Sequence, residues 1–201
     1  MIGAVNSNCR EVWLVLHGYG QLSQFFIRSF SSLVAEHRLI VAPEGLHRFY
    51  IEGFAGRVGA SWMTKEERDS DIVDYLEYLD LVLKELRNQG VPQNAKINLL
   101  GFSQGASTAC RWFFHTKEEV QAIVLWSGMV PPDLNLAIGD RQKWENAYLV
   151  FDSNDPFHHT EHFQRQLSWL EENKLPFQLV ESSSGHAITA EGISNLLREM
   201  E

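Results

Sequence analysis

A serine lies between two glycines in the segment Gly101-Phe102-Ser103-Gln104-Gly105, which has the pattern G-x-S-x-G. An apolar run of strand length precedes this segment, and apolar residues at helical spacing follow it. The pattern therefore predicts a strand, a sharp turn and a helix, with the serine hydroxyl projecting from the carboxyl end of the strand. Ser103 placed in this way would be a nucleophile, whereas a plain glycine–serine turn is the alternative.

A serine hydroxyl needs a base that takes its proton and an acid that orients this base. Two later apolar runs end in suitable residues, namely Asp152 and Asp155 after the first run and His186 after the second. The order serine, acid, histidine is typical of hydrolases whose nucleophile lies on such a turn. We predict Ser103 as nucleophile, Asp155 as acid and His186 as base, with Asp152 remaining an alternative for the acid.

The negative charge that develops on an attacked carbonyl oxygen needs two N–H donors. The backbone N–H of Gln104, directly after the serine, is expected to be one of them. The other is expected from Tyr19, in the loop His17-Gly18-Tyr19-Gly20 that follows an earlier apolar run. We interpret His17 as a buried residue that shapes this loop, not as a base.

A histidine-rich segment contains His158, His159, Glu161 and His162. Its spacing departs from the H-E-x-x-H pattern of zinc-binding helices, so we interpret these residues as the polar start of a helix and predict no metal. No glycine pattern typical of phosphate or dinucleotide binding follows a strand-like run, and we predict no cofactor.

The composition is that of a globular protein of 201 residues, with 44% apolar residues and a formal net charge of −9. This charge disfavours a nucleic-acid partner. We expect a single domain over residues 1–201, with no signal peptide and no membrane span. Only two cysteines are present, and they fit a reduced, cytoplasmic location.

Several apolar runs are unbroken, which is typical of parallel strands covered on both faces. Strands are predicted at residues 12–16, 38–42, 96–100, 122–126, 147–151 and 176–180. Helical spacing recurs between them, most clearly over residues 69–89, where Asp69 or Ser70 is the expected N-cap and Gly90 the end. The expected fold class is α/β, with a mostly parallel, doubly wound sheet and helices on both faces.

The segment over residues 43–68 has no sustained period and is long for a connection. Because it follows the carboxyl end of a strand, we interpret it as a wall of the substrate pocket, with Trp62 and, from another loop, Met129 at the border. Two alternatives stay open for its aromatic side chains. They would also suit a side core, or a contact between two copies of the chain in a homodimer.

Four segments, "LHGYG", "GFSQGA", "WSGMVP" and "SGH", resemble motifs of the α/β-hydrolase superfamily and, within it, of the phospholipase/carboxylesterase family of small serine esterases, which includes acyl-protein thioesterases. The resemblance covers most of the chain and implies a minimal α/β-hydrolase fold without a separate cap domain. It also implies a carboxylesterase-type hydrolase with Ser103, Asp155 and His186 as catalytic triad, and with the N–H groups of Tyr19 and Gln104 as oxyanion hole.

The implied substrate is a small-molecule ester or thioester with a short to medium acyl chain. A lysophospholipase or acyl-protein thioesterase would use the same residues, and a non-catalytic binding protein with this fold is the alternative from another functional class. The chain departs from the family at Gln21, where an acidic residue is usual, and at Asp152, where a glycine is usual.

Overall fold

The computed structural model describes residues 1–134, 144–157 and 160–201. The strands in these residues are β1 Glu11–Leu16, β2 Arg38–Val41, β3 His47–Tyr50, β4 Val58–Ser61, β5 Lys96–Phe102, β6 Val120–Trp126, β7 Ala147–Phe151 and β8 Gln178–Glu181. Six of them form one sheet in the order β2-β1-β5-β6-β7-β8, and every neighbouring pair is parallel. Each of the six apolar runs predicted as a strand forms one.

The helices of the described residues are α1 Ser23–Phe26, α2 Arg68–Asn88, α3 Gln104–His115, α4 Thr160–Glu172 and α5 Ala190–Glu199, with a 3₁₀ helix at Ile27–Leu33. The long helix α2 confirms the pattern over residues 69–89, and Gly90 follows it with a φ of 111°. The predicted N-cap of this helix, Asp69 or Ser70, was wrong. Glu67 is the N-cap residue, with a left-handed φ of 48° and no side-chain cap hydrogen bond.

Helices cover both faces of the parallel sheet. One face packs against α2, α3 and α4 through alternate strand residues such as Leu14 and Leu99. The opposite face packs against the 3₁₀ helix and α5 through the residues in between, such as Trp13 and Leu100. Because both faces of these strands are buried, their sequences read as unbroken apolar runs.

The segment over residues 43–68 contains two strands that its sequence did not indicate. β3 and β4 form an antiparallel hairpin that is separate from the main sheet. Alternate residues of β3 are exposed, so no apolar run marks it. The hairpin is attached to the loop after β1, since Gly20 N–H donates to Ala60 O at 2.8 Å and Ala60 N–H donates to Gln21 O at 3.2 Å.

The parallel sheet places the carboxyl ends of its strands at one edge. The loops after β1, β5, β7 and β8 carry the residues predicted to do chemistry, and the loop after β6 carries Met129. This edge is therefore where a site would be assembled. In the part of the chain that the structure describes, no helix has both the length and the apolar character needed to cross a membrane.

Candidate active site

Ser103 lies on a sharp turn between β5 and α3. Its backbone has a φ of 54° and a ψ of −117°, a conformation that costs energy for a residue with a Cβ. The turn closes only because its flanking residues are glycines. A Cβ on Gly101 would lie 2.5 Å from Ala106 Cα, and a Cβ on Gly105 would lie 2.7 Å from His17 O. The sequence pattern thus forms the expected strand–turn–helix.

Asp155 and His186 are joined by a hydrogen bond at the same edge of the sheet. His186 Nδ1–H donates to Asp155 Oδ2 at 2.7 Å, and the second carboxylate oxygen accepts the Phe157 N–H at 2.8 Å. The Asp155 side chain is 4% exposed and the His186 side chain 19%. Because the carboxylate accepts at Nδ1, Nε2 of the imidazole is left free to act as a base.

The imidazole of His186 lies between two aromatic rings. Its centroid is 4.8 Å from that of Phe102 and 4.7 Å from that of Phe157. Phe102 directly precedes Ser103, so the ring contact places the base beside the turn. In the described residues no hydrogen bond joins the Ser103 hydroxyl to His186, and such bonds often tighten only when substrate is bound.

Asp152, the alternative acid, uses its carboxylate differently. Its Oδ2 accepts the Gly185 N–H at 2.5 Å and its Oδ1 accepts the Asn154 N–H at 2.7 Å. The carboxylate that accepts the hydrogen bond of the His186 imidazole is that of Asp155. The geometry therefore favours Asp155 as the orienting acid.

The loop after β1 lies directly against the turn that carries Ser103. A Cβ on Gly18 would be 3.2 Å from Ser103 Cβ. Gln21 folds the loop, because its Oε1 accepts the Gly18 N–H at 2.8 Å. Between Gly18 and Gly20, whose N–H groups are both bonded, the Tyr19 N–H has no acceptor among the described residues. Tyr19 is 63% exposed, and its ring contacts that of Phe49, with the centroids 5.0 Å apart and the planes inclined by 30°.

Gln104 has a backbone N–H beside Ser103 and a side chain that binds the end of β4. Its N–H is the first of α3 and has no acceptor within the described residues, as is usual at a helix start. Its Nε2 donates to Ser61 Oγ and Met63 O, each at 3.0 Å, and its Oε1 accepts the Trp62 N–H at 3.2 Å. The side chain thus attaches the end of β4 to α3, the helix that begins directly after Ser103. The sequence did not indicate this contact, because Trp62 and Gln104 are 42 positions apart in the chain.

His17 has the structural role expected for it. It is fully buried, its Nδ1–H donates to Gly18 O at 2.8 Å, and its Nε2 accepts the Gly45 N–H at 2.9 Å. Burial lowers the pKa of the imidazole, which keeps it neutral.

The expectation that Trp62 borders the substrate pocket was wrong. Its side chain is 0% exposed, its Nε1–H donates to His17 O at 2.8 Å, and its ring lies 5.1 Å from the His17 ring. A fully buried ring offers no surface to a substrate. Trp62 instead supports the loop that carries Tyr19 from behind.

Met129 lies where two cavities meet. One, of about 80 Å³, is also lined by Asp155 and Phe157, and the other, of about 460 Å³, runs along α4 to Trp169. Ser107 Oγ–H donates to Met129 O at 2.9 Å, which attaches the Met129 loop to α3. Met129 is therefore in a position to touch a substrate chain.

The same loop is held by a buried arginine. Arg111 of α3 is 6% exposed and binds Asp133 with two parallel hydrogen bonds, from Nη2 to Oδ1 at 2.7 Å and from Nε to Oδ2 at 3.0 Å. These bonds lower the pKa of Asp133 to about 2. The ion pair attaches the loop to α3 four residues after Met129.

Part of the histidine-rich segment lies outside the described residues, namely His158 and His159. Glu161 and His162 lie in the first turn of α4, as expected for the polar start of a helix. In the described part of the chain, no group of three or more His, Cys, Asp or Glu side chains could hold a metal ion.

The family model for Phospholipase/Carboxylesterase matches residues 2–194 of the chain. The chain belongs to the phospholipase/carboxylesterase family. The predicted resemblance is thereby confirmed, and membership in this family makes the chain an α/β-hydrolase. No curated protein matches the chain significantly.

Solved structures agree on the fold. Acyl-protein thioesterase 2 from Zea mays is 18% identical, with a TM-score of 0.74 over 96% of this chain and 93% of that one. Esterase PE8 is 24% identical, with a TM-score of 0.68 over 100% and 97%. A phospholipase/carboxylesterase from Dyadobacter fermentans is 18% identical, with a TM-score of 0.65 over 97% and 91%. These phospholipase/carboxylesterase and thioesterase structures share the α/β-hydrolase fold with this chain.

Proposed function

We propose that this protein is a serine hydrolase that cleaves carboxylic esters or thioesters of small molecules through an acyl-enzyme. The observation that carries the proposal is the 2.7 Å hydrogen bond from His186 to Asp155, formed beside the strained Ser103 turn. A binding protein would have no need for a base oriented by a buried carboxylate next to a serine. Membership in the phospholipase/carboxylesterase family supports the same reaction class.

In the proposed reaction, Ser103 Oγ attacks the carbonyl carbon and its proton passes to Nε2 of His186. The Asp155 carboxylate stabilises the imidazolium, and the N–H groups of Tyr19 and Gln104 bind the oxyanion. The tetrahedral intermediate expels the alcohol or thiol, which takes the proton from His186. Water then attacks the acyl group on Ser103, His186 again accepts the proton, and the free acid leaves.

The cavities beside Met129 support short to medium acyl chains. The smaller, of about 80 Å³, is bordered by Asp155 and Phe157 and is where we place a short acyl chain. A longer chain would pass Met129 into the groove of about 460 Å³ along α4. Thioesters and lysophospholipids would react by the same steps, and the thioesterase among the similar structures supports keeping thioesters in the substrate class. A homodimer and a cytoplasmic location stay predictions.

The test is hydrolysis of p-nitrophenyl esters from acetate to palmitate by the wild type and by Ser103→Ala. Removal of the nucleophile should lower kcat by about 10⁶-fold. Equal activity of the two proteins would refute Ser103 as the nucleophile. If neither protein is active and a fluorophosphonate probe fails to label the wild type, the non-catalytic binding protein becomes the better interpretation.

A further inference from the structure

Asp152 is a buried carboxylate to which the proposed triad gives no part. It directly follows β7, three positions before Asp155, and is 2% exposed. Burying a carboxylate is costly unless its oxygens receive hydrogen bonds. Its Oδ2 accepts the N–H of Gly185 at 2.5 Å, and Gly185 is the residue directly before His186.

The loop after β7 and the loop after β8 are thus joined by two adjacent contacts. Asp155 Oδ2 accepts the imidazole Nδ1–H of His186, and Asp152 Oδ2 accepts the backbone N–H of the preceding residue, Gly185. A further bond, from Ser182 N–H to Phe151 O at 2.7 Å, joins the loops where the strands end. Of the two backbone contacts, the one to Asp152 is nearer to His186, because its donor is the N–H of the residue directly before it.

Packing does little to hold Gly185 in place. A Cβ added there would meet nothing within 4 Å, and the residue has a left-handed φ of 61°. Glycine in open space has wide conformational freedom. The hydrogen bond of its N–H to the buried side chain of Asp152 restricts that freedom.

We propose that Asp152 is a positioning residue, which fixes Gly185 and thereby aims the imidazole of His186 at both Asp155 and Ser103. The proposal rests on the proposed function, because it assigns Asp152 a part in that reaction.

A purely local role for Asp152 makes a different prediction. Its Oδ1 accepts the Asn154 N–H at 2.7 Å, and its backbone carbonyl accepts the Asp155 N–H at 3.1 Å, so it also shapes the turn of its own loop. If this were its whole role, substitution would lower stability and leave kcat unchanged. Positioning of the base predicts a loss of kcat with KM unchanged.

The experiment compares Asp152→Ala and Asp152→Asn with wild type on p-nitrophenyl acetate. The matched control is Asp80→Ala, which removes the acceptor of the buried Trp112 Nε1–H at 2.8 Å, near the C-terminal end of α3 and so at the end of that helix opposite Ser103. We expect Asp152→Ala to lower kcat by about 10- to 100-fold, the cost of a small misplacement of a catalytic group, at unchanged KM. Asp152→Asn has one side-chain oxygen for two N–H donors, those of Gly185 and Asn154, so we expect its kcat to lie between those of Asp152→Ala and wild type.

A double-mutant cycle shows whether Asp152 acts through the base. In a His186→Ala background, Asp152→Ala should cause no further loss of the residual hydrolysis, since there is no imidazole left to position. Wild-type kcat in Asp152→Ala, a kcat of Asp152→Asn below that of Asp152→Ala, or full additivity in the cycle would each overturn the proposal. Loss of activity in Ser103→Ala, measured in the same assay, tests the reaction itself and keeps the two failures distinct.

Melting temperatures of all variants are measured in parallel, and the assays are run well below the lowest of them. A kcat deficit of Asp152→Ala that persists there, beside an Asp80→Ala protein of similar stability and full activity, supports positioning. A deficit shared by both alanine variants would be an effect of stability and would overturn it. The rate at which a fluorophosphonate probe labels Ser103 should fall in Asp152→Ala as kcat does.

Discussion

Asp155→Asn replaces the carboxylate by an amide of the same shape and should disable the base by changing its tautomer. In the native site two donors meet two acceptors, because the His186 Nδ1–H and the Phe157 N–H each bind one carboxylate oxygen, at 2.7 Å and 2.8 Å. An amide has one oxygen and one NH₂ group. If the oxygen keeps the Phe157 N–H, the NH₂ faces Nδ1 and forces the proton onto Nε2, where the base must be free.

The expected loss for such a tautomer change is about 10⁴-fold in kcat, which corresponds to about 5 kcal/mol of transition-state stabilisation. Initial rates on p-nitrophenyl acetate measure it, with Ser103→Ala as the lower limit and Asp80→Asn as a matched change of a carboxylate remote from the site. A kcat of Asp155→Asn within about tenfold of wild type would refute the reasoning, since a tenfold change is only about 1.4 kcal/mol. The orienting acid would then have to be another carboxylate, and Asp152 is the one nearest in the chain.

Three further predictions concern the support of the site. Asp133→Asn should lower the unfolding free energy by about 1 kcal/mol near neutral pH, because one half of a bidentate pair with the buried Arg111 is lost while Asp133 is partly exposed. The pKa of Asp133 is lowered from 3.8 to about 2, so its contribution to stability is complete above pH 3.8 and is lost as the pH falls toward 2. In urea unfolding, the free energies of unfolding of the two proteins should therefore converge over that interval. A difference that stays constant with pH would contradict the assignment. Gly105→Ala should lower the unfolding free energy by about 1–3 kcal/mol and reduce kcat, because the new Cβ meets backbone carbonyls that have little room to move, and thermal unfolding with unchanged stability would show that the turn is looser than described. Trp62→Phe removes the donor to His17 O and should cost about 1–3 kcal/mol in urea unfolding without moving the preferred acyl-chain length; a shifted preference would mean that the ring does reach the substrate.

The sheet was predictable because its strands are buried on both faces. Runs such as the one that became β6, Val120–Trp126, carry apolar residues at successive positions, and this pattern survives whatever the helices outside do. The placement of the candidate catalytic residues follows from the same feature. Parallel strands bring their carboxyl ends to one edge, so residues far apart in the chain, such as Ser103 and His186, were expected at a common site.

The hairpin β3–β4 and the burial of Trp62 were not predictable in this way. β3 has four residues, His47–Tyr50, that alternate between half-buried and exposed positions, so its sequence has no apolar run to mark it. The orientation of Trp62 depends on that hairpin and on two partners distant in the chain. Its Nε1–H donates to His17 O, and its backbone N–H donates to Gln104 Oε1. Large aromatic residues in a long loop suit a pocket wall and a core equally well, and only the tertiary contacts distinguish the two.

The choice between Asp152 and Asp155 shows why sequence order stops short of mechanism. Both carboxylates follow β7 within one short turn, and the sequence favours Asp155 only because it lies farther into the loop. In the structure both are buried. What separates them is the partner that each meets on the facing loop, a side-chain N–H of His186 for Asp155 and a backbone N–H of Gly185 for Asp152. Those two donors belong to adjacent residues. The Asp152 carboxylate accepts the N–H of the residue directly before His186, and for this reason we expect the pairing of His186 with Asp155 to depend on Asp152.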